Sequence, residues 1–67
     1  MITYGKLFQY LVEHDISTKE LSEKTGVSLT VLSRMRLAQN VSMAHVEKIC
    51  TALNLQPNDI MEYLEKN

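Results

Sequence analysis

In the stretch SLTVLSRMRL, residues 28–37, two hydroxyls, a guanidinium and a leucine recur at Thr30, Ser33, Arg34 and Leu37. Residues three, four and seven apart share one face of a helix, so these four form a single row with Leu29 at its leading end. Leu32 and Met35 fall on the opposite side and read as buried. The outward row is therefore mostly polar and short-chained, with one long side chain whose planar fork of donors suits bidentate hydrogen bonding. Such a surface recognises; it does not make or break bonds. No activated nucleophile accompanies it, so enzyme activity is not expected. His14 and His45 are the only histidines and Cys50 the only cysteine. His45 and Cys50 lie on different faces of their helix, no zinc-ligand spacing is present, and Cys50 reads as a small core residue. Neither metal nor cofactor is expected.

A recognition row has to be held by other elements, and helical spacing runs through the whole chain. In TYGKLFQYLVEHD, Tyr4, Leu7, Phe8, Leu11 and Val12 form an apolar stripe about 100° wide on a first helix. HDIS ends it, and Ile16 drops into the core. Ser17 is placed to cap a second helix, with Glu20 three residues on completing a capping box. Leu21 points inward, Ser22 is small enough for a neighbouring helix to pass close by, and Gly26 suits the left-handed corner that ends the helix. Ser28 caps the third helix. RLAQNVS carries the next turn, with Asn40 as the expected site of a positive backbone angle. Ser42 caps a fourth helix with Val46, Ile49, Cys50 and Leu53 on one side. Pro57 opens a fifth, where its missing N–H costs nothing, and Asp59 complements the helix dipole. Ile60, Tyr63 and Leu64 are expected to form that helix's apolar side. No strand pattern, internal repeat or low-complexity segment is found. The expected fold is all-α: one domain, residues 1–67, of five short helices.

A chain of 67 residues buries only about 60% of the surface exposed when unfolded, so its core is thin. One cysteine rules out an intramolecular disulfide. A lone thiol, a start at Met1 and no signal peptide fit a reducing cytoplasm. No apolar run approaches the ~20 residues of a membrane span. The net charge of −1 argues against nonspecific coating of nucleic acid. Its distribution says more: residues 17–40 carry Lys19, Lys24, Arg34 and Arg36 against Glu20 and Glu23, whereas residues 57–67 carry Asp59, Glu62 and Glu65 against Lys66. The middle is mildly basic and the tail acidic. Lys19 with Glu23, and Glu20 with Lys24, are also spaced to pair locally along the second helix.

Two helices meeting at a glycine-containing corner are the general form of a helix-turn-helix. The stretch ISTKELSEKTGVSLTVLSRM, residues 16–35, resembles the helix-turn-helix of the Cro and phage-repressor family of transcription regulators, which places that motif at about 17–37. MITYGKLFQYLVEHDIS, NVSMAHVEKICTALNL and QPNDIMEYL extend the likeness over nearly the whole chain, toward a small single-domain bacterial subgroup. The resemblance implies a lambda-repressor-like fold, with the third helix in the major groove of double-stranded DNA. By position it makes Leu29, Thr30, Ser33 and Arg34 base-contacting residues. Arg34 would form a bidentate contact to guanine, Thr30 would bond a base or touch a thymine methyl, and Leu29 would do only the latter. Phosphates would be held by Thr18 and Ser28 at helix N-termini, and by Lys19, Lys24, Arg36 and Asn40. The sequence departs from the family's common pattern at two places. Leu29 replaces a polar residue at the leading edge, and Leu37-Ala38-Gln39 stands where many members have a glycine-containing basic turn.

Met43, Met61, Tyr63 and Leu64 exceed what so small a core needs. They either finish that core or form the interface of a homodimer, whose two half-sites on a palindromic operator would lie about 34–36 Å apart. The expected function is a cytoplasmic, sequence-specific DNA-binding regulator of bacterial or phage origin, acting as a repressor and lacking a ligand-sensing domain. The alternative is a helix-turn-helix fold used as a protein-interaction module, antitoxin-like or adaptor, because fold alone does not fix function.

Overall fold

The computed structural model describes residues 1–65. In chain order it contains β1 (Ile2–Thr3), α1 (Gly5–Glu13), α2 (Thr18–Thr25), α3 (Leu29–Arg36), α4 (Met43–Leu53), α5 (Pro57–Ile60) and β2 (Glu62–Tyr63). Five helices therefore form where helical spacing predicts them, around one core. Tyr4, Leu7 and Leu11 enter it from the α1 segment, Leu21 from α2, Val27 from the corner, Leu32 and Met35 from α3, Val46, Ile49 and Cys50 from α4, and Ile60 from α5. Ile16, Leu53 and Met61 are half-buried against it. No helix among the described residues is long and apolar enough to cross a membrane.

The helix starts follow from their caps. Ser17 and Glu20 close a capping box at α2, Ser28 accepts from the Val31 amide at α3, and Ser42 accepts from the Ala44 amide at α4. Pro57 sits at the start of α5, where Asp59 Oδ2 accepts from the Gln56 amide at 2.8 Å.

Four expectations need correction. The all-α class holds, but where no strand is expected β1 and β2 pair antiparallel, with Ile2 opposite Tyr63 and Thr3 opposite Glu62. Around them Leu64 N donates to Met1 O at 2.8 Å, and the Met1 amine donates to Leu64 O at 3.1 Å. For the same reason α5 ends at Ile60, so Tyr63 and Leu64 are not on its apolar side. A single helical turn has little cooperative stability of its own, and pairing with the chain's first residues satisfies the following backbone better. Val12 is 81% exposed, because it lies at the margin of the α1 stripe whose centre is Leu7 and Leu11. Finally, the positive angle after α3 belongs to Ala38 (φ 57°), not to Asn40. The chain turns back immediately after the helix, before Asn40 is reached.

Candidate nucleic-acid interface

The site is built from α2, the corner after it, and α3. The Glu20 amide donates to Ser17 Oγ at 3.1 Å and the Ser17 amide donates to Glu20 Oε1 at 3.2 Å, which fixes the start of α2. At its other end the Thr25 hydroxyl donates to Leu21 O at 2.8 Å and accepts from the Val27 amide at 3.1 Å. Gly26 takes the left-handed conformation (φ 78°), and Val27 plugs the core with 1% of its surface exposed. Ser28 then caps α3. Leu32 and Met35 are buried, which settles the rotation of α3 about its axis.

That rotation turns Leu29, Thr30, Ser33, Arg34 and Leu37 outward; all five are exposed, as their spacing predicts. Half of the Leu29 surface and two thirds of Leu37 face solvent, at 50% and 67%. Beside this row runs a hollow of about 270 Å³ lined by Thr18, Leu29, Leu32, Ser33 and Arg36. It joins the first turn of α2 to one flank of α3. The amides of Thr18 and Lys19 occupy positions that have no acceptor within the helix, at the positive end of its dipole. Chemically, a row of hydrogen-bonding side chains stands next to a cationic, amide-bearing trough. That arrangement suits bases on one side and a sugar-phosphate chain on the other.

The candidate phosphate ligands do not all share this trough. Thr18 and Arg36 line it, and Lys19 follows Thr18 on the exposed first turn. Lys24 instead lines a separate hollow with Thr25, Glu47, Lys48, Thr51 and Ala52, where α2 meets α4. The Ser28 hydroxyl is engaged by the Val31 amide at 3.2 Å. Asn40 is exposed in the segment after α3. Sequence reasoning overlooked one contributor: the Arg36 guanidinium lies 4.2 Å over the ring of Phe8 on α1. The α1 stripe marks Phe8 as apolar, but no local pattern reports that its ring meets the end of α3.

The four residues proposed for a dimer interface occupy different settings. Met43 (58% exposed) lines a hollow of about 380 Å³ with Val46, Cys50, Leu55 and Pro57. Tyr63 and Leu64 are exposed beside Met1 and Ile2 on the two-stranded ribbon, whereas Met61 is half-buried against the core. Among the described residues no three His, Cys, Asp or Glu side chains gather as a metal site. Burial, aided by the negative charge of Asp59, pushes the Cys50 thiol pKa up, so it stays protonated near neutrality. Burial likewise raises that of Tyr4.

Comparison with known proteins agrees with this geometry. Residues 6–66 match the Cro/C1-type HTH DNA-binding domain family. An uncharacterised HTH-type transcriptional regulator of Bacillus subtilis (strain 168), YozG, is 38% identical over 55 residues, which cover 79% of this chain and 66% of that protein. The chain thus spans just under two thirds of that relative's length. The crystal structure of the transcriptional regulator VanUg superposes with a TM-score of 0.88 at 34% identity, covering 97% of this chain and 87% of the other. A family match across almost the entire chain, on a fold with α2 and α3 set as described, leads to one conclusion: this chain belongs to the Cro/C1-type helix-turn-helix DNA-binding domain family.

Proposed function

We propose that this protein is a sequence-specific DNA-binding transcriptional regulator that inserts α3 into the major groove and acts as a repressor. The observation that carries the reading is the exposed row of Leu29, Thr30, Ser33 and Arg34 beside the trough formed by Thr18 and Arg36. Arg34 reads guanine; Thr30 and Leu29 read a thymine edge or methyl. Thr18, Lys19 and Arg36 take phosphates along the trough, Ser28 at the start of α3, and Lys24 and Asn40 outside the trough. Repression follows simply from such binding, since occupying an operator excludes other proteins without further contacts. The protein works in the cytoplasm of a bacterium, or of one infected by a phage.

It binds a palindromic operator as a homodimer, with Met43, Met61, Tyr63 and Leu64 contributing to the contact. Exposed apolar surface on a thin-cored domain supports that stoichiometry. Sedimentation of the protein with its operator should give two chains per duplex; one chain per duplex would remove the dimer from the reading.

Selection of bound duplexes from a random DNA pool at moderate salt tests the function itself. A motif with half-sites about one helical turn apart is expected. Arg34→Ala should then weaken binding by about 1–3 kcal/mol and relax preference at one base position. Unchanged affinity in that variant would sink the major-groove assignment.

One observation favours a second reading, a protein-interaction module. Leu29 and Leu37 are exposed apolar residues on the same row as Arg34. Salt separates the two: phosphate contacts make affinity fall steeply as salt rises, whereas an apolar protein groove does not.

A further inference from the structure

We propose that Phe8 is a positioning residue for DNA binding, holding the Arg36 guanidinium ready for a phosphate in the trough beside α3. The inference rests on the DNA-binding function proposed above. Phe8 lies on α1, between the buried Leu7 and Leu11, and is itself half-buried against the core. Its ring is therefore anchored, and one face meets Arg36, with the guanidinium carbon 4.2 Å from the ring centroid. Arg36 also lines the hollow that contains Thr18 and Ser33.

The geometry of a stacked guanidinium matters here. Stacking engages the flat face of the group and leaves its in-plane N–H donors available. A carboxylate partner would occupy those donors and neutralise the charge; an aromatic ring does neither. A free arginine carries considerable rotamer entropy, part of which must be lost when it grips a phosphate. Phe8 removes some of that loss in advance. It does so from a helix that lies outside the helix-turn-helix, so α1 becomes part of the binding apparatus.

The test is a double-mutant cycle on the duplex that the parent protein selects from a random pool, with Phe8→Leu and Arg36→Ala singly and combined. Binding is measured at several salt concentrations, below the onset of thermal unfolding of every variant. Phe8→Leu keeps an apolar side chain in the core but removes the ring, and should weaken binding about three- to tenfold. Arg36→Ala should lower the salt slope by about one per chain. In the Arg36→Ala background, Phe8→Leu should have no further effect, and Phe8→Tyr alone should restore parental affinity. An equal loss from Phe8→Leu with and without Arg36 would overturn the proposal, because Phe8 would then act through general packing. So would parental affinity in Phe8→Leu. A parent protein that selects no duplex would overturn the DNA-binding reading itself, an outcome distinct from both.

Discussion

The helix α3 is held differently at its two ends. Before it, Gly26 takes the left-handed corner (φ 78°), Thr25 bonds both Leu21 O and the Val27 amide, Val27 is buried, and Ser28 caps the helix. After it, the corner residue is Ala38 (φ 57°), and the neighbouring Leu37 is 67% exposed. Here the backbone closes the helix alone, through Gln39 N to Arg34 O at 2.9 Å and Ala38 N to Met35 O at 3.1 Å. This is the Schellman pattern, usually completed by glycine. The first corner combines an unstrained glycine, a buried plug and side-chain bonds. The second asks an alanine to hold an angle that L-residues disfavour. The leading end of α3, which carries Leu29 and Thr30, is thus the firmly fixed end. Firm placement there suits the function proposed for α3, in which the N-terminal part of the helix would read base edges.

Substitutions at matched positions should expose this asymmetry, each measured by urea unfolding. The largest difference is expected from Val27→Ala against Leu37→Ala. Emptying the buried plug should cost about 2–3 kcal/mol, whereas trimming the exposed leucine should change stability by less than about 0.5 kcal/mol. Equal losses would mean that both corners are packed alike. Gly26→Ala comes next, at about 1–2 kcal/mol. An added Cβ there meets nothing within 4 Å, so backbone strain alone is responsible; a much larger loss would point to a clash instead. Ser28→Ala should remove about 1 kcal/mol through the lost cap, with Ser28→Asp retaining most of the stability. The last effect has the opposite sign: Ala38→Gly should stabilise the protein by about 0.5–1 kcal/mol by relieving the left-handed strain. A destabilised Ala38→Gly would show that the second corner is as well fitted as the first.

These two corners also show where sequence reading succeeds. Gly26 announces itself because glycine tolerates a positive φ and Ser28 follows at capping distance. Around Ala38, residue type misleads: Asn40 is the better left-handed residue intrinsically, but the hydrogen bonds that close α3 place the turn two residues earlier. At the other positive-φ positions, Asp15 and Asn54, residue type and conformation agree, since short polar side chains tolerate that region.

By itself the sequence determined the presence of five helices, the serine caps of α2, α3 and α4, the inward faces of those three helices, and the outward row containing Arg34. All of these depend on neighbours within a few residues, where the helical period and cap chemistry act. Only the tertiary structure decided that Ile2–Thr3 and Glu62–Tyr63 pair as β1 and β2, that α5 stops at Ile60, that Lys24 belongs with α4, and that Phe8 lies beneath Arg36. Each of these joins segments distant in the chain. A contact of that kind leaves no period in the local sequence, because it is created only when the helices pack.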